Sequence, residues 1–163
     1  MKRIIYMVFM NLFHAPVWLL KIARMARPGD NHTMQQRYDY IAEMTRRIIK
    51  RGRVTIKVTG VEHIPEKDGF MLFPNHQGLF DVLALFSTCP KALSVVIKKE
   101  ASRWILVKQV LGATGSLAMD RKDMKDQVRI IGEVTRLVKE GRNFVIFAEG
   151  HRSRKGNEIL DFK

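Results

Sequence analysis

One cysteine, Cys89, is all this chain holds, so no internal disulfide braces it, and a lone thiol suits a reducing cytosol. Cys89 follows the apolar stretch Val82 to Phe86 and precedes Pro90, a setting for a small core or helix-end residue rather than a nucleophile. Acidic side chains are also scarce. Sixteen Asp and Glu face 29 Lys and Arg, a formal charge of +13 with a pI near 10.2. The imbalance is uneven: residues 1–60 hold twelve Lys/Arg and three Asp/Glu, and the remainder seventeen and thirteen. Such asymmetry points to an anionic partner, a membrane surface or a nucleic acid. Aromatic residues make up only 9%. The basic residues flank an apolar helix instead of interleaving with stacking aromatics, which disfavours nucleic acid. Three chemistries lack their signatures. No Cys, His and carboxylate group has zinc-ligand spacing, no Gly-x4-Gly-Lys-Ser/Thr loop occurs, and neither Ser116 nor Ser153 sits in a Gly-x-Ser-x-Gly elbow. Internal repeats, low-complexity segments and flexible linkers are likewise missing.

What is present fits one domain with a real core. The length is 163 residues, the hydrophobic content 46% and the mean hydropathy -0.14, which excludes disorder. Residues 4–20 are apolar almost all round, preceded by Lys2 and Arg3 and followed by Lys21, Arg24 and Arg27. A full span needs about 20 apolar residues. This run is slightly short and contains Asn11, His14 and the kinking Pro16. A basic start and an apolar middle also match a signal peptide, but no small-x-small cleavage site follows. The expected structure is an uncleaved helix lying in one leaflet, with Trp18 and the cations at headgroup level; the alternative is a helix buried in the core. Pro28-Gly29-Asp30-Asn31 reads as a turn and helix start. After it, Met34, Tyr38, Ile41, Met44, Ile48 and Ile49 recur at helical spacing. The other face and end of that helix carry Arg37, Arg46, Arg47, Lys50, Arg51 and Arg53. Each cation near an anionic leaflet contributes about 1 kcal/mol, so membrane docking is preferred over a merely solvated face.

From Val54 the pattern changes. Val54 to Thr59 alternates like a half-exposed strand, and Gly60 to Gly69 reads as a connection. Strands are predicted at Gly69–Pro74, Ala92–Ile97, Gly115–Met119 and Asn143–Ala148. Helices are predicted at Asp81–Phe86, over residues 100–111, and after Asp123 as far as Gly141. Strands alternating with helices define an α/β domain. Two of these strands end in reactive side chains. Asn75-His76-Gln77-Gly78-Leu79-Phe80-Asp81 follows one, and Glu149-Gly150-His151-Arg152-Ser153 follows another. In open α/β sheets the site lies at the carboxyl ends of strands. At a strand-to-helix turn, Asp81 can hold one ring nitrogen of His76 and leave the other free to take a proton. By itself, however, His-x4-Asp is a weak pattern, compatible with a structural turn histidine. General-base help is worth about 10²–10⁴ in rate, so acyl transfer also needs oxyanion donors. The N–H groups around Gly150 are candidates for that role. Arg152, backed by Arg121, suits a phosphate.

The combination is more specific. Asn75-His76 through Asp81, Gly115-Ser116-Leu117-Ala118-Met119-Asp120-Arg121, and Phe147 through Ser153 stand in the order and spacing of the glycerolipid acyltransferase family. With Gly60-Val61-Glu62-His63-Ile64-Pro65 and the basic N-terminal helices, the chain from about residue 30 resembles the bacterial 1-acyl-sn-glycerol-3-phosphate acyltransferases. The resemblance implies a mixed α/β sheet flanked by helices over residues 54–163, preceded by a membrane-docking segment of two helices over residues 1–53. His76 would be the general base and Asp81 its orienting partner. Arg121, Glu149, Gly150, Arg152, Ser153 and Asn75 would bind the acceptor.

The implied reaction moves an acyl group from an acyl-CoA or acyl carrier protein thioester to lysophosphatidate, giving phosphatidate at the cytoplasmic face of the membrane. No metal, cofactor, covalent acyl-enzyme or nucleic acid is called for. Glycerol 3-phosphate or another lysophospholipid is the alternative acceptor. Gly78 stands where the family more often has serine, which loosens the turn. Ala148 and His151 replace the usual proline and threonine. Family members also continue past the point matching Lys163, with further strands and a Val-Pro motif near the acyl pocket. The resemblance therefore implies a C-terminally incomplete domain, with an inactive membrane-binding fragment as a further reading.

Overall fold

A computed structural model describes residues 2–76, 78 and 80–149. Six α-helices and four strands occur among them: α1 (Lys2–Asn11), α2 (Ala15–Met25), α3 (Met34–Arg51), β1 (Met71–Leu72), α4 (Phe80–Thr88), β2 (Leu93–Lys98), α5 (Ile105–Thr114), β3 (Leu117–Met119), α6 (Met124–Lys139) and β4 (Asn143–Val145). The strands form one sheet in the order β1-β4-β2-β3, and every pairing is parallel. The mixed sheet implied by the resemblance is thus parallel throughout among the described residues. Parallel neighbours need crossovers, and the intervening helices supply them. Two helical layers cover the sheet. One core cluster joins Ile22 of α2, Tyr38 and Ile41 of α3 and Phe86 of α4 to Leu93, Val95 and Val145 of the sheet. The second joins Ile130, Val134 and Leu137 of α6 to Val96 and Phe144. Neighbouring residues Val95 and Val96, and Phe144 and Val145, go to opposite layers, as the two-residue strand period requires.

Local chemistry accounts for most boundaries. Thr33 and Gln36 form a reciprocal capping box at the start of α3. The Asp123 carboxylate accepts the Lys125 N–H at the start of α6. Gly115 ends α5 in the left-handed region, with φ of 55°. Gly69 has φ of 96°, and a Cβ there would lie 2.8 Å from the Val138 carbonyl, so only glycine fits between the end of α6 and β1.

Three sequence expectations need correction. Residues 4–20 are not one helix: the chain breaks after Asn11 and turns by 78° into α2, where Pro16 occupies a first-turn position that costs no hydrogen bond. No single described helix is long and apolar enough to cross a membrane. Val54–Thr59 forms no strand. Its alternation covers only the first half: Val54 and Ile56 are half-buried between exposed Thr55 and Lys57, whereas Val58 is exposed, and these residues belong to no strand of the sheet. The predicted first and last strands also shorten, to Met71–Leu72 and Asn143–Val145.

Candidate active site

The end of β1 and the end of β4 lie side by side, because Leu72 is in register with Val145. Each strand then runs on toward one of the polar clusters. After β1 the chain passes Phe73 and Pro74 to the exposed Asn75 and the half-buried His76. Asp81 lies in the first turn of α4, where the positive end of the helix dipole favours a carboxylate. His76 Nδ1 stands 3.1 Å from Asp81 Oδ2, and the same oxygen accepts the Gly78 N–H at 2.9 Å. One carboxylate therefore closes the turn and orients the ring. With Asp81 accepting, the proton resides on Nδ1 and the lone pair on Nε2. The Phe147 ring packs against the imidazole, with centroids 4.4 Å apart at 40°. Both side chains of the His–Asp pair retain 20% exposure, enough for a substrate to reach them. A Cβ on Gly78 would meet nothing nearer than Phe80 N at 4.0 Å, so the turn also has room for a serine.

Glu149 is placed differently from the expectation of an acceptor contact. It is buried, with 1% of its surface exposed, and its Oε2 accepts the His76 backbone N–H at 3.4 Å. Its Oε1 has no hydrogen-bond partner among the described residues. A carboxylate held this way positions the backbone of His76 across the β1–β4 boundary. Arg121 follows β3 at the far edge of the sheet, three strand spacings from β1 and so roughly 14 Å away in the plane of the sheet. Its loop is anchored from α6: Asp126 Oδ2 accepts the Asp120 N–H at 2.7 Å, and Gln127 Nε2 donates to the Arg121 carbonyl at 3.0 Å. The fold thus brings His76, Asp81 and Glu149 together, with Asn75 next to His76 in the chain, and the backbone at Arg121 leaves β3 at the same end but the opposite edge of the sheet. Gly150, Arg152 and Ser153, with the N–H groups expected to hold the oxyanion, lie outside the described residues.

Sequence reasoning missed two supporting residues. Phe147 reads as a core strand position but packs on the His76 ring. Asn143 is a buried polar residue at the start of β4, an unusual place that marks it in retrospect. Its Oδ1 accepts the N–H groups of Gly69 and Phe70, and its Nδ2 donates to Asp68 and to the Ala92 carbonyl. One side chain ties together the starts of β1, β2 and β4. Among the described residues no cluster of three or more His, Cys, Asp or Glu is arranged to hold a metal ion.

A parallel α/β sheet with a His–Asp pair at the carboxyl end of a strand is an arrangement chemically able to take up a proton. The comparisons make it specific. The acyltransferase family model matches residues 55–163, and the chain belongs to that family. It is 33% identical over 89 residues to a 1-acyl-sn-glycerol-3-phosphate acyltransferase of Helicobacter pylori, covering 55% of this chain and 38% of that protein. It is 29% identical over 104 residues to the protein of the same name from Borreliella burgdorferi, covering 64% and 42%. The chain thus spans about two fifths of the length of the curated relatives it matches. The crystal structure of the 1-acyl-sn-glycerophosphate (LPA) acyltransferase PlsC from Thermotoga maritima shares the fold, with a TM-score of 0.72 and 20% identity over 98% of this chain and 64% of that one.

Proposed function

We propose that this chain transfers an acyl group from a thioester to the free hydroxyl of 1-acyl-sn-glycerol 3-phosphate, giving phosphatidate for phospholipid synthesis. The observation that carries the reading is the His76–Asp81 pair at the carboxyl end of β1, in a chain of the acyltransferase family. His76 Nε2 takes the acceptor's hydroxyl proton as the oxygen attacks the thioester carbonyl. The tetrahedral intermediate collapses, the C–S bond breaks, and the departing thiolate receives the proton from His76. Asp81 stabilises the imidazolium that forms in between, and no metal or further cofactor is called on. Arg121 and Arg152 are assigned to the acceptor's phosphate, and Asn75, Gly150 and Ser153 to the rest of the acceptor. An apolar cavity of about 220 Å³ between α3, α4, α5 and β2 is the proposed place for an acyl chain; Val82 and Leu83, which line it, directly follow Asp81 in the chain.

Residues 1–53 dock this chemistry on the cytoplasmic face of an anionic membrane, and residues 54–163 carry it. Support comes from the outer face of α1 and α2, where Ile5, Phe9, Leu12, Phe13, Val17 and Leu20 are exposed, Phe13 by 87%. Met7, Trp18, Ile22 and Met25 hold the inner face to the body. Such an arrangement lies in one leaflet.

Product analysis in mixed micelles tests the reading, with acyl-CoA and acyl carrier protein thioesters offered separately. Phosphatidate from lysophosphatidate is the expected outcome. Faster turnover of glycerol 3-phosphate or another lysophospholipid would reassign the acceptor, and no acyl transfer to any of them would contradict the proposal.

A further inference from the structure

A second exposed apolar patch lies outside the N-terminal pair. Trp104, Ile105 and Leu106, at the start of α5, are exposed by 57%, 73% and 44%. Exposed cations flank them in the chain: Lys98, Lys99, Arg103 and Lys108, with Glu100 as the one acid in the stretch. Lys98 lies 4.0 Å from Glu100, and Lys99 pairs with Asp120 at 3.3 Å. No carboxylate among the described residues pairs with Arg103 or Lys108. The amino end of α5 has no side-chain cap, so its dipole adds to the positive field.

The patch sits where the docking helices turn. Trp104 and Leu106 line one cavity with Met44, Thr45 and Ile48 of α3. The Ile48 carbonyl accepts from Asn11 Nδ2 at 3.5 Å, and Arg51, one turn on, reaches Asn11 and His14 at the break between α1 and α2. At the other end of α5, Gly112 packs on Ala26, just after α2. Helices α2 and α5 therefore run alongside each other with their amino ends together. This places Trp104–Leu106 at the same end of the molecule as exposed Leu12, Phe13 and Val17.

We infer that Trp104, Ile105 and Leu106, ringed by Arg103 and Lys108, form a second membrane-inserting contact that meets the anionic bilayer together with α1 and α2. The inference rests on the docking reading above. A tryptophan beside cations is the composition that settles at a headgroup boundary. Two contacts on different elements would fix the tilt of the sheet over the bilayer, which one amphipathic helix pair leaves free to rotate. The occupant is a lipid surface rather than an acidic protein, because the exposed groups are apolar and continue toward an apolar face.

Tryptophan emission tests this directly, because the chain holds only Trp18 and Trp104. In a Trp18→Phe variant, vesicles of phosphatidylethanolamine and phosphatidylglycerol should shift Trp104 emission to the blue, and brominated lipids should quench it. Trp104→Ser with Ile105→Ser should weaken vesicle binding several-fold with far-UV circular dichroism unchanged. Sedimentation with vesicles while Trp104 stays unshifted and unquenched would overturn the inference and leave docking by α1 and α2 standing. Emission already blue without vesicles, or shifted by acyl carrier protein alone, would also overturn it. Failure to sediment with vesicles at all would sink both readings.

Discussion

Glu149 keeps only 1% of its surface exposed, which favours a role inside the fold over direct contact with a soluble headgroup. Its carboxylate accepts the His76 N–H, so on the function proposed above it would position the base. Removing it should therefore act on turnover. In Glu149→Leu, kcat should fall roughly 10–100-fold, as when a supporting partner of a functional side chain is lost, while the KM for the acceptor changes little. Glu149→Gln keeps a carbonyl for the His76 N–H and should recover most of that loss. A rise in acceptor KM without loss of kcat would return Glu149 to acceptor binding. His76 and Asp81 were legible because their spacing is local and the turn that joins them is short. The burial of Glu149 was not legible, because it depends on β4 lying beside β1, a pairing between segments some 70 residues apart.

At the scale of elements, a two-residue strand needs more than its own ladder to stay at the sheet edge. Asn143 supplies it, joining β1 to β4 and β2 through four hydrogen bonds. Asn143→Ala strands several of those partners, and each unsatisfied buried group costs about 1–3 kcal/mol. Urea unfolding should show a loss of at least that order; an unchanged midpoint would mean that β1 is held by other means. Helices α3 and α6 were readable from periodicity and caps, since both signals are written within one segment. Val54–Thr59 shows the opposite case. Alternation reports which side chains can face inward, and it did so for Val54 and Ile56 but not for the exposed Val58, whereas a strand also needs a neighbour that local sequence does not specify. Likewise Pro16 announces a kink, but the 78° turn is set by packing of Met7 and Asn11 on α3.

For the whole molecule, the excess of positive charge makes the few carboxylates disproportionately important. Among the described residues, six of them sit below their ordinary range. The Asp30 carboxyl is lowered first by the His32 N–H, Glu43 by Arg47, and Asp68 by Asn143. Asp120 is lowered by the Lys122 N–H, Asp126 by the Asp120 N–H, and Glu133 by Arg136. A carboxyl whose folded pKa lies below its unfolded value binds fewer protons folded than unfolded. Its stabilisation is complete above the unfolded value of about 4 and is lost as pH falls through the folded one. Protonation also adds to self-repulsion in a chain already at +13. Thermal unfolding should thus change little between pH 5 and 7 on account of these groups and fall steeply below about pH 4. A midpoint that holds steady in that acid range would contradict it. The basic balance was plain from composition, but its geometry was not, because α2, α3 and α5 come together from segments far apart in the chain.

The central claim is that His76, held by Asp81, is the base for acyl transfer. Its most direct test is initial-rate acyl transfer to lysophosphatidate by the unaltered chain, His76→Ala and Asp81→Asn, with folding verified by circular dichroism. The account predicts phosphatidate from the unaltered chain and a loss of about 10²–10⁴ in kcat for His76→Ala, with Asp81→Asn also impaired. Near-normal turnover in both folded variants would contradict it.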